Sequence, residues 1–210
     1  MKTELDKCMA GEWYDCHDPI FITQKGKTRQ LLARYNALPY EEKKTKQEVL
    51  KEMFGSIISI ERTNTKIDNM CSVLPETPFL CDYGCNIHIG DNVSVNMNCS
   101  FIDCNKITIG SHVLIASNVQ IYTATHPIEL SERLTPGWTP DKAAYFCRTY
   151  ALPVIIEDGC WIGGGVIILP GVTIGKGCVI GAGSVVTKNI PADSLAVGNP
   201  CRVIREINKK

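Results

Sequence analysis

From residue 87 onward the chain repeats every six residues, and this period restricts the possible folds more than any other feature. Read in sixes, the sequence runs IHIGDN, VSVNMN, CSFIDC, then ITIGSH, VLIASN, VQIYTA, and resumes after residue 153 as VIIEDG, CWIGGG, VIILPG, VTIGKG, CVIGAG, SVVTKN. The third residue of all twelve sixes is apolar and almost always β-branched: Ile89, Val95, Phe101, Ile109, Ile115, Ile121, Ile156, Ile162, Ile168, Ile174, Ile180 and Val186.

A period of six does not suit an α-helix, because six residues rotate a helix by about 600° and equivalent positions do not share a face. It suits a short strand followed by a corner, where Gly or Asn accepts unusual backbone angles. Glycine often fills the fourth position, at Gly90, Gly110, Gly163, Gly175 and Gly181. Three sixes form one triangular coil. When coils stack, the isoleucines at equivalent positions stack on one another in the interior. We predict a mainly β fold, a parallel β-helix built from stacked three-sided coils of hexapeptide repeats. The alternatives are a β-sandwich and an ordinary parallel β-helix, and neither of these requires strict sixes.

The first sixty residues have a helical pattern instead. Asp18 and Pro19 form a helix start, and the helix is expected to end at Pro39. A further helix is predicted from Glu41 to Phe54, with Gly55 as its stop, and a shorter one over residues 3–10. The predicted organisation is therefore a helical segment at 1–60, a β-helix domain at 61–200 with an extruded loop at 125–153, and a C-terminal tail at 201–210.

Composition excludes several classes of protein. Lys and Arg number 22, as do Asp and Glu, so the formal net charge is zero and nothing attracts nucleic acid or an anionic membrane globally. The sequence contains no run of about 18 uncharged apolar residues, so no transmembrane helix is predicted. The charged N-terminus also lacks the apolar run of a signal peptide. The eleven cysteines include no C-x-x-C pair. We expect reduced thiols that act as small hydrophobic residues in a cytoplasmic protein.

Four histidines are present, and His126 has a distinctive setting. It lies where the repeat breaks, at the root of the 125–153 excursion, and Pro127 restricts its backbone. His17, His88 and His112 are expected to be surface or turn residues. An imidazole is a suitable base near neutral pH, so His126 is the candidate catalytic residue, with anchoring of the loop as the alternative.

Longer motifs carry a resemblance to a known family. They are AGEWYDCHDP, CDYGCNIHIG, IGSHVLIASNVQIYTATHP, IEDGCWIGGGVIILPGVTIG, VIGAGSVVTKNIPA and AVGNPCRVIREI. The chain resembles the hexapeptide-repeat acyltransferases and, among them, the maltose and galactoside O-acetyltransferases, most of all the maltose type. The resemblance implies a left-handed β-helix and a homotrimer with active sites between neighbours. It also implies acetyl transfer from acetyl-CoA, without a metal, to a sugar hydroxyl, with the primary 6-hydroxyl of maltose or glucose as the expected target.

The same resemblance assigns residues to the acceptor. His126 matches the catalytic base, and Asn96 matches an asparagine at the reaction centre, whereas Asn98 is a candidate for a plain corner residue. Asp82 and Asp15 are the expected carboxylates for sugar hydroxyls. Ser94 stands where the galactoside enzyme has a tyrosine. Cys104, with the candidate Asp103 beside it, stands where that enzyme has an acceptor-binding aspartate. Both departures weaken a galactoside assignment, and Asp82 agrees better with the maltose type.

For acetyl-CoA the resemblance implies six residues: Gly164, Ala182, Thr187, Lys188, Arg202 and Arg205. Trp161, which replaces an aliphatic coil position, is a further candidate. Small residues let the pantetheine arm approach the backbone, and the Gly164 N–H is a candidate oxyanion donor. The basic residues would meet the phosphates, unless they form an ordinary solvated tail. Trp161 would either line the site around the thiol end of coenzyme A or pack in the core.

No serine or cysteine nucleophile adjoins a histidine in a recognised motif, which favours direct transfer in a ternary complex. The alternatives are a galactoside or other hydroxyl acceptor, a zinc carbonic anhydrase-like enzyme, which would need three converging histidines, and a non-catalytic scaffold. The long excursion contains Trp138, Tyr145 and Phe146, and we expect it to cover the acceptor site.

Overall fold

The computed structural model describes residues 2–57, 73–142 and 145–207, and within this part the chain forms a helical segment followed by a three-sided β-helix. The predicted parallel β-helix of hexapeptide repeats is confirmed, and its coils are left-handed as the resemblance implied. No described helix is long and apolar enough to cross a membrane.

The helical segment begins with α1 (Glu4–Met9), continues with α2 (Pro19–Ala37) and ends with α3 (Lys43–Met53). The predicted start of α2 is confirmed, since the Asp18 carboxylate accepts a hydrogen bond of 3.0 Å from the N–H of Ile20. Helix α3 begins at Lys43 rather than Glu41. Leu32 and Leu50 of these helices share one hydrophobic core with the β-helix, so the helical segment is not a separately packed unit.

The β-helix has three flat faces. Face 1 contains β2 (Phe79–Cys81), β5 (Cys99–Ile102), β8 (Gln120–Tyr122), β13 (Ile167–Ile168) and β16 (Val185–Val186). Face 2 contains β1 (Ser56–Ile57), β3 (Ile87–Ile89), β6 (Ile107–Ile109), β11 (Val154–Ile156) and β14 (Thr173–Ile174). Face 3 contains β4 (Ser94–Val95), β7 (Leu114–Ile115), β12 (Trp161–Ile162), β15 (Val179–Ile180), β17 (Ser194–Val197) and β18 (Arg202–Glu206).

The chain visits the faces in the order 1, 2, 3, and each strand pairs in parallel with its equivalent one coil away. The exception is β18, which turns back and pairs antiparallel with β17. The C-terminal residues predicted as a tail are therefore a strand that covers the last edge of face 3. At the other end, the Asn36 side chain closes the edge of β2 by accepting from the N–H and donating to the carbonyl of Phe79, each at 2.9 Å.

The core follows the six-residue period. All twelve third-position side chains predicted to face inward are at most 2% exposed. Burying one such side chain contributes roughly 1.5–3 kcal/mol, so this column of aliphatic residues dominates the stability of the fold. Seven of the ten described cysteines are also buried, and all ten are free thiols, in keeping with their predicted role as small hydrophobic residues.

The corners depart from the sequence prediction in one respect. The left-handed backbone occurs at the sixth position of the repeat, at Asn98, His112 and Gly165 among others, and not at the fourth-position glycines. Those glycines are required by close stacking of the coils: a Cβ on Gly163 would lie 2.6 Å from the Ala182 nitrogen of the next coil. The predicted turn roles of Asn98 and His112 hold.

This packing predicts the effect of added methyl groups. Gly163→Ala should lower the free energy of unfolding by about 1–3 kcal/mol, because backbone of the neighbouring coil must move. In Gly26→Ala, by contrast, the new methyl meets nothing within 4 Å on α2, so stability should rise by up to about 1 kcal/mol. Urea denaturation of both variants measures the difference. Equal stabilities would contradict the stacking argument.

The predicted excursion leaves the β-helix as an antiparallel pair, β9 (Ala124–Thr125) with β10 (Tyr150–Ala151). It then carries a short helix, α4 (Leu130–Arg133). An isolated bridge joins Tyr14 to Thr149, so the N-terminal segment packs against the root of the excursion. His126 lies directly after β9, at this junction.

Candidate functional site

His126 is held in a defined orientation beside the excursion. Its ring is exposed, while Pro127 next to it is buried. The Nδ1 atom lies 2.8 Å from the backbone carbonyl oxygen of Arg148. A carbonyl can only accept, so Nδ1 carries the proton and donates, and Nε2 keeps its lone pair. This is the tautomer that a general base needs, and it is fixed by a contact that joins the two strands of the excursion root.

Arg148 also lines a cleft of about 240 Å³. Its lining includes Asp15, the predicted acceptor carboxylate, and Tyr145 of the excursion that is expected to cover the acceptor site. Trp13 and Arg148 also line it, and the sequence did not single these two residues out. Asp15 is partly buried, and its Oδ1 accepts from the His17 N–H at 2.9 Å. A carboxylate, a guanidinium and two aromatic rings are the types of side chain that hold a small polar molecule. Their convergence depends on contacts between residues more than 130 positions apart, which no local motif signals.

Asp82 is largely enclosed, at 8% exposure, and its carboxylate lies 3.3 Å from the ammonium of Lys25 and 3.3 Å from the guanidinium of Arg29. Both cations come from α2. The predicted acceptor carboxylate is thus neutralised within the chain, and it also fastens the helical segment to the β-helix.

Asp103 requires a correction. It is fully buried, and its carboxylate oxygens accept from the N–H groups of Asp82, Tyr83 and Asn86 at 3.0, 2.8 and 3.3 Å. Burial raises the pKa of this carboxyl to about 7, although the backbone donors oppose the rise. Because every described contact of the carboxylate is internal, we remove Asp103 from the acceptor site and assign it to the turn that follows β2.

Asn96 lies on a different edge of the β-helix, where the chain passes from face 3 to face 1. Its side chain is exposed, and its Oδ1 accepts from the Met97 N–H at 2.8 Å, which leaves the amide N–H groups for a ligand. Its backbone is not left-handed, whereas that of Asn98 is, with φ of 61°. The corner role therefore belongs to Asn98.

Above Asn96, the same edge consists of small residues. The corner at Ala116 and Ser117 is followed one coil on by Gly164, and then by Ala182, with the Gly183 N–H donating to the Gly164 carbonyl at 2.8 Å. Within the described residues, the N–H groups of Gly164 and Ala182 donate to no acceptor. A stripe of small residues with free backbone donors can take a thin chain that contains amides, as the resemblance implies for pantetheine.

The basic residues predicted for phosphates lie at the C-terminal end of the β-helix and are exposed. Arg202 and Arg205 are on β18, and Arg202 is opposite Val197, next to the edge that holds Asn96. Thr187 and Lys188 follow β16, on the edge where face 1 meets face 2. Trp161 is 54% exposed on the outside of face 3, so the alternative of core packing is wrong.

The candidate residues therefore divide between two edges. The His126 edge, between faces 1 and 2, also holds Thr187 and Lys188, with Asp82 on an earlier coil. The Asn96 edge, between faces 3 and 1, also holds Gly164 and Ala182. The two edges are separated by the width of face 1, on the order of 15 Å at about 3.3 Å per residue. A small acceptor on one copy of the chain cannot touch both His126 and Asn96.

A zinc site built from histidines finds no support. In the described ranges, the one group of three potential metal ligands is Asp15, Cys16 and His17, which contains a single histidine. His126 has no second histidine in such a group. The carbonic anhydrase-like alternative needs three converging imidazoles.

Comparisons with known proteins identify the family and support the fold. A family model described as the maltose acetyltransferase hexapeptide capping motif matches residues 7–57, and the bacterial transferase hexapeptide model matches residues 153–188. A putative acetyltransferase of Saccharomyces cerevisiae is 44% identical over 207 residues, which cover 98% of this chain and 94% of the relative.

Solved structures are similar over almost the whole chain. A maltose O-acetyltransferase from Clostridium difficile is 39% identical, with a TM-score of 0.84 and 99% of each chain covered. A hexapeptide-repeat acetyltransferase from Vibrio cholerae, complexed with acetyl coenzyme A, is 32% identical, with a TM-score of 0.81 and coverage of 99% and 100%. A galactoside acetyltransferase in complex with coenzyme A is 32% identical, with a TM-score of 0.83 and coverage of 99% and 92%.

Proposed function

The chain belongs to the maltose and galactoside O-acetyltransferase family of hexapeptide-repeat enzymes, with acetyl-CoA as co-substrate, and we propose that it acetylates a hydroxyl of a sugar such as maltose or glucose. The observation that carries the proposal is the His126 imidazole, whose Nδ1 is bound to the Arg148 carbonyl and whose Nε2 is free to accept a proton. The expected target is the primary 6-hydroxyl, the least hindered one.

The proposed chemistry is a direct transfer in a ternary complex. Nε2 of His126 takes the proton of the hydroxyl while its oxygen attacks the thioester carbonyl. The Gly164 N–H donates to the oxyanion of the tetrahedral intermediate. Collapse of the intermediate breaks the C–S bond, and the imidazolium returns its proton to the CoA sulfur. The acetyl ester and free CoA thiol are the products, and His126 ends in its starting state.

We propose that a homotrimer completes the site. The His126 edge of one copy faces the Asn96 edge of the next, so that the base comes from one subunit and Asn96 and Gly164 come from another. This is a heterologous interface, which forms a closed ring when the rotation between copies permits. Since each copy offers one edge of each kind, a ring contains as many sites as subunits.

A panel of acceptors tests the function. Purified protein is incubated with acetyl-CoA and maltose, glucose, a galactoside or a nodulation-type oligosaccharide, and the free thiol is measured. Maltose and glucose should release thiol, and NMR of the product should show an acetyl ester at the 6-position. Preference for the galactoside would favour the alternative acceptor, and the absence of thiol release with every sugar would favour a non-catalytic scaffold.

The free thiols of the described cysteines suit a cytoplasmic setting.

The basic residues give a separable prediction for acetyl-CoA. Lys188→Ala and Arg202→Ala should each raise the KM for acetyl-CoA about tenfold or more, because a hydrogen bond to a charged group is lost, and kcat should change little. Steady-state kinetics at saturating sugar measures this. Lys176→Ala removes another exposed lysine from the same end of the β-helix and is the matched control. If the KM for acetyl-CoA is unchanged in both variants, these residues do not bind the co-substrate and belong to an ordinary solvated surface.

The excursion gives a prediction for acceptor choice. Tyr145 lines the cleft that holds Asp15, and its ring stacks on His17 with centroids 4.1 Å apart. Tyr145→Ala should therefore reduce discrimination between maltose and glucose by up to about tenfold, since part of the pocket wall is lost. Lys142→Ala, at the exposed tip of the same excursion, is the control. An unchanged ratio of kcat/KM values in Tyr145→Ala would reject the proposed covering role.

A further inference from the structure

A second cavity, of about 440 Å³, lies between α3 and the beginning of face 3, within the range of ligand-binding pockets. Ser94 and Leu114 line it from the β-helix, and Tyr40, Lys43 and Lys46 line it from the helical segment. It is distinct from the cleft beside Arg148 and shares no lining residue with it.

The cavity contains an unusual cation. Lys46 is only 6% exposed, and its ammonium lies 5.7 Å from the centroid of the Tyr35 ring. Among the residues that the structure describes, no carboxylate lies within ion-pair distance of it. Buried lysines are normally paired, since burial of an isolated charge is costly. The Tyr35 ring offers partial compensation at most.

A second cation lies in the same wall. The Lys43 ammonium is 5.5 Å from the centroid of the Tyr40 ring, which is 64% exposed and presents a flat apolar surface. One carboxylate, that of the exposed Glu76, lines the cavity as well, so its charged lining residues sum to one net positive charge. Glu76 can accept from sugar hydroxyls, while the two ammonium groups can only donate, and preferably to an anion.

The position of the cavity connects it to the acceptor. On β4 and beyond, Val95 points into the core, so its neighbours Ser94 and Asn96 point outward on the same side. Residues two apart on one side of a strand lie roughly 7 Å from each other. Leu114 lies in register beside Ser94. Asn96 does not line the cavity, but it directly follows the lining residues Ser94 and Val95, so the two sites are neighbours along the chain.

We propose that this cavity binds an anionic group carried by the acceptor, so that the preferred substrates are sugars with a phosphate or carboxylate away from the acetylated hydroxyl. The inference rests on the proposed function, with Asn96 at the reaction centre. Lys46 and Lys43 bind the anion, the Tyr40 ring supports the sugar, and the acetylated hydroxyl reaches His126 of the neighbouring copy.

Glucose and glucose 1-phosphate test this proposal, because both have a free 6-hydroxyl. In the wild type, kcat/KM should be about tenfold higher for glucose 1-phosphate. Lys46→Met keeps the length and apolar stem of the side chain and should reduce this ratio about tenfold. Lys44→Met, an exposed lysine of α3 outside the cavity, should leave the ratio unchanged. Thermal unfolding of both variants verifies folding.

Binding measured without acetyl-CoA separates this proposal from the proposed function. Calorimetry should show glucose 1-phosphate bound more tightly than inorganic phosphate, with the affinity weakened in Lys46→Met. If sugars are acetylated with no preference for the phosphate, or if the preference survives in Lys46→Met, the anion site is rejected and the sugar acetyltransferase stands. If no sugar is acetylated but Lys46-dependent binding occurs, the anion site stands and the acceptor assignment falls. Equal affinity for inorganic phosphate would also overturn the proposal, since the anion would not be part of a sugar.

Discussion

Replacing His126 with alanine should lower kcat for sugar acetylation by about 10²–10⁴-fold, the usual contribution of a positioned general base. The KM for acetyl-CoA should change little, because none of the residues proposed to bind the co-substrate contacts the imidazole. Because the ring is exposed, its removal leaves no buried cavity, and the hydrogen bond lost with it is the one to the Arg148 carbonyl. Thiol release at saturating substrates measures kcat, and circular dichroism verifies the fold.

A matched control is available in His88→Gln, since His88 lies on face 2, away from both edges. It should leave kcat close to the wild-type value. A His126→Ala enzyme with wild-type kcat would mean that another group removes the proton, and the free Nε2 would then have no catalytic purpose. Loss of activity in both variants would indicate a general effect of histidine removal.

The largest recovery of activity should come from mixing two inactive variants. His126→Ala damages one edge and Asn96→Ala damages the other. In co-expressed mixed trimers, an intact site forms wherever an undamaged His126 edge faces an undamaged Asn96 edge. Each ring that contains both variants has one such junction among its three, whichever variant is present twice, as expected for a heterologous interface between copies. Mixed trimers, purified through two different tags, should therefore regain about one third of wild-type activity.

The control pair is His126→Ala mixed with Asp15→Ala. Both residues belong to the same edge, so every copy then has a damaged His126 edge and mixing should restore nothing. Recovery in this control, or no recovery for His126→Ala with Asn96→Ala, would mean that the residues do not combine across copies as proposed. A monomeric enzyme with full activity would have the same consequence.

The repeat explains how much of the fold was predictable. The inward positions followed from the period because each six makes the same turn, and the start of α2 followed from the Asp18–Pro19 pair because capping is local. The role of the fourth repeat position was not predicted correctly: glycine there serves a close approach of coils, and the left-handed turn lies at the sixth position. A sequence shows that a glycine is present but not which neighbour requires it.

The candidate site was predictable in part. His126 stood out because it lies where a strict period breaks, whereas Gly164 and Ala182 were candidates because the family resemblance implied them. Asp103 was misassigned because its burial depends on the turn at Asp82 and Tyr83, twenty residues away on another coil. Trp161 faces outward because it occupies the second position of its six, although its place at an aliphatic coil position left core packing open as an alternative.

The sequence by itself determined a stacked β-helix, an aliphatic interior, a helical N-terminal segment and a histidine at the break in the repeat, since each of these depends on interactions within one or two coils. Only the tertiary structure decided that the candidate residues divide between two edges, that Arg148 fixes the His126 tautomer, and that Lys46 is buried beside Ser94. These facts depend on where the helical segment and the excursion pack against the β-helix. Such contacts join residues tens of positions apart, and no local period encodes them.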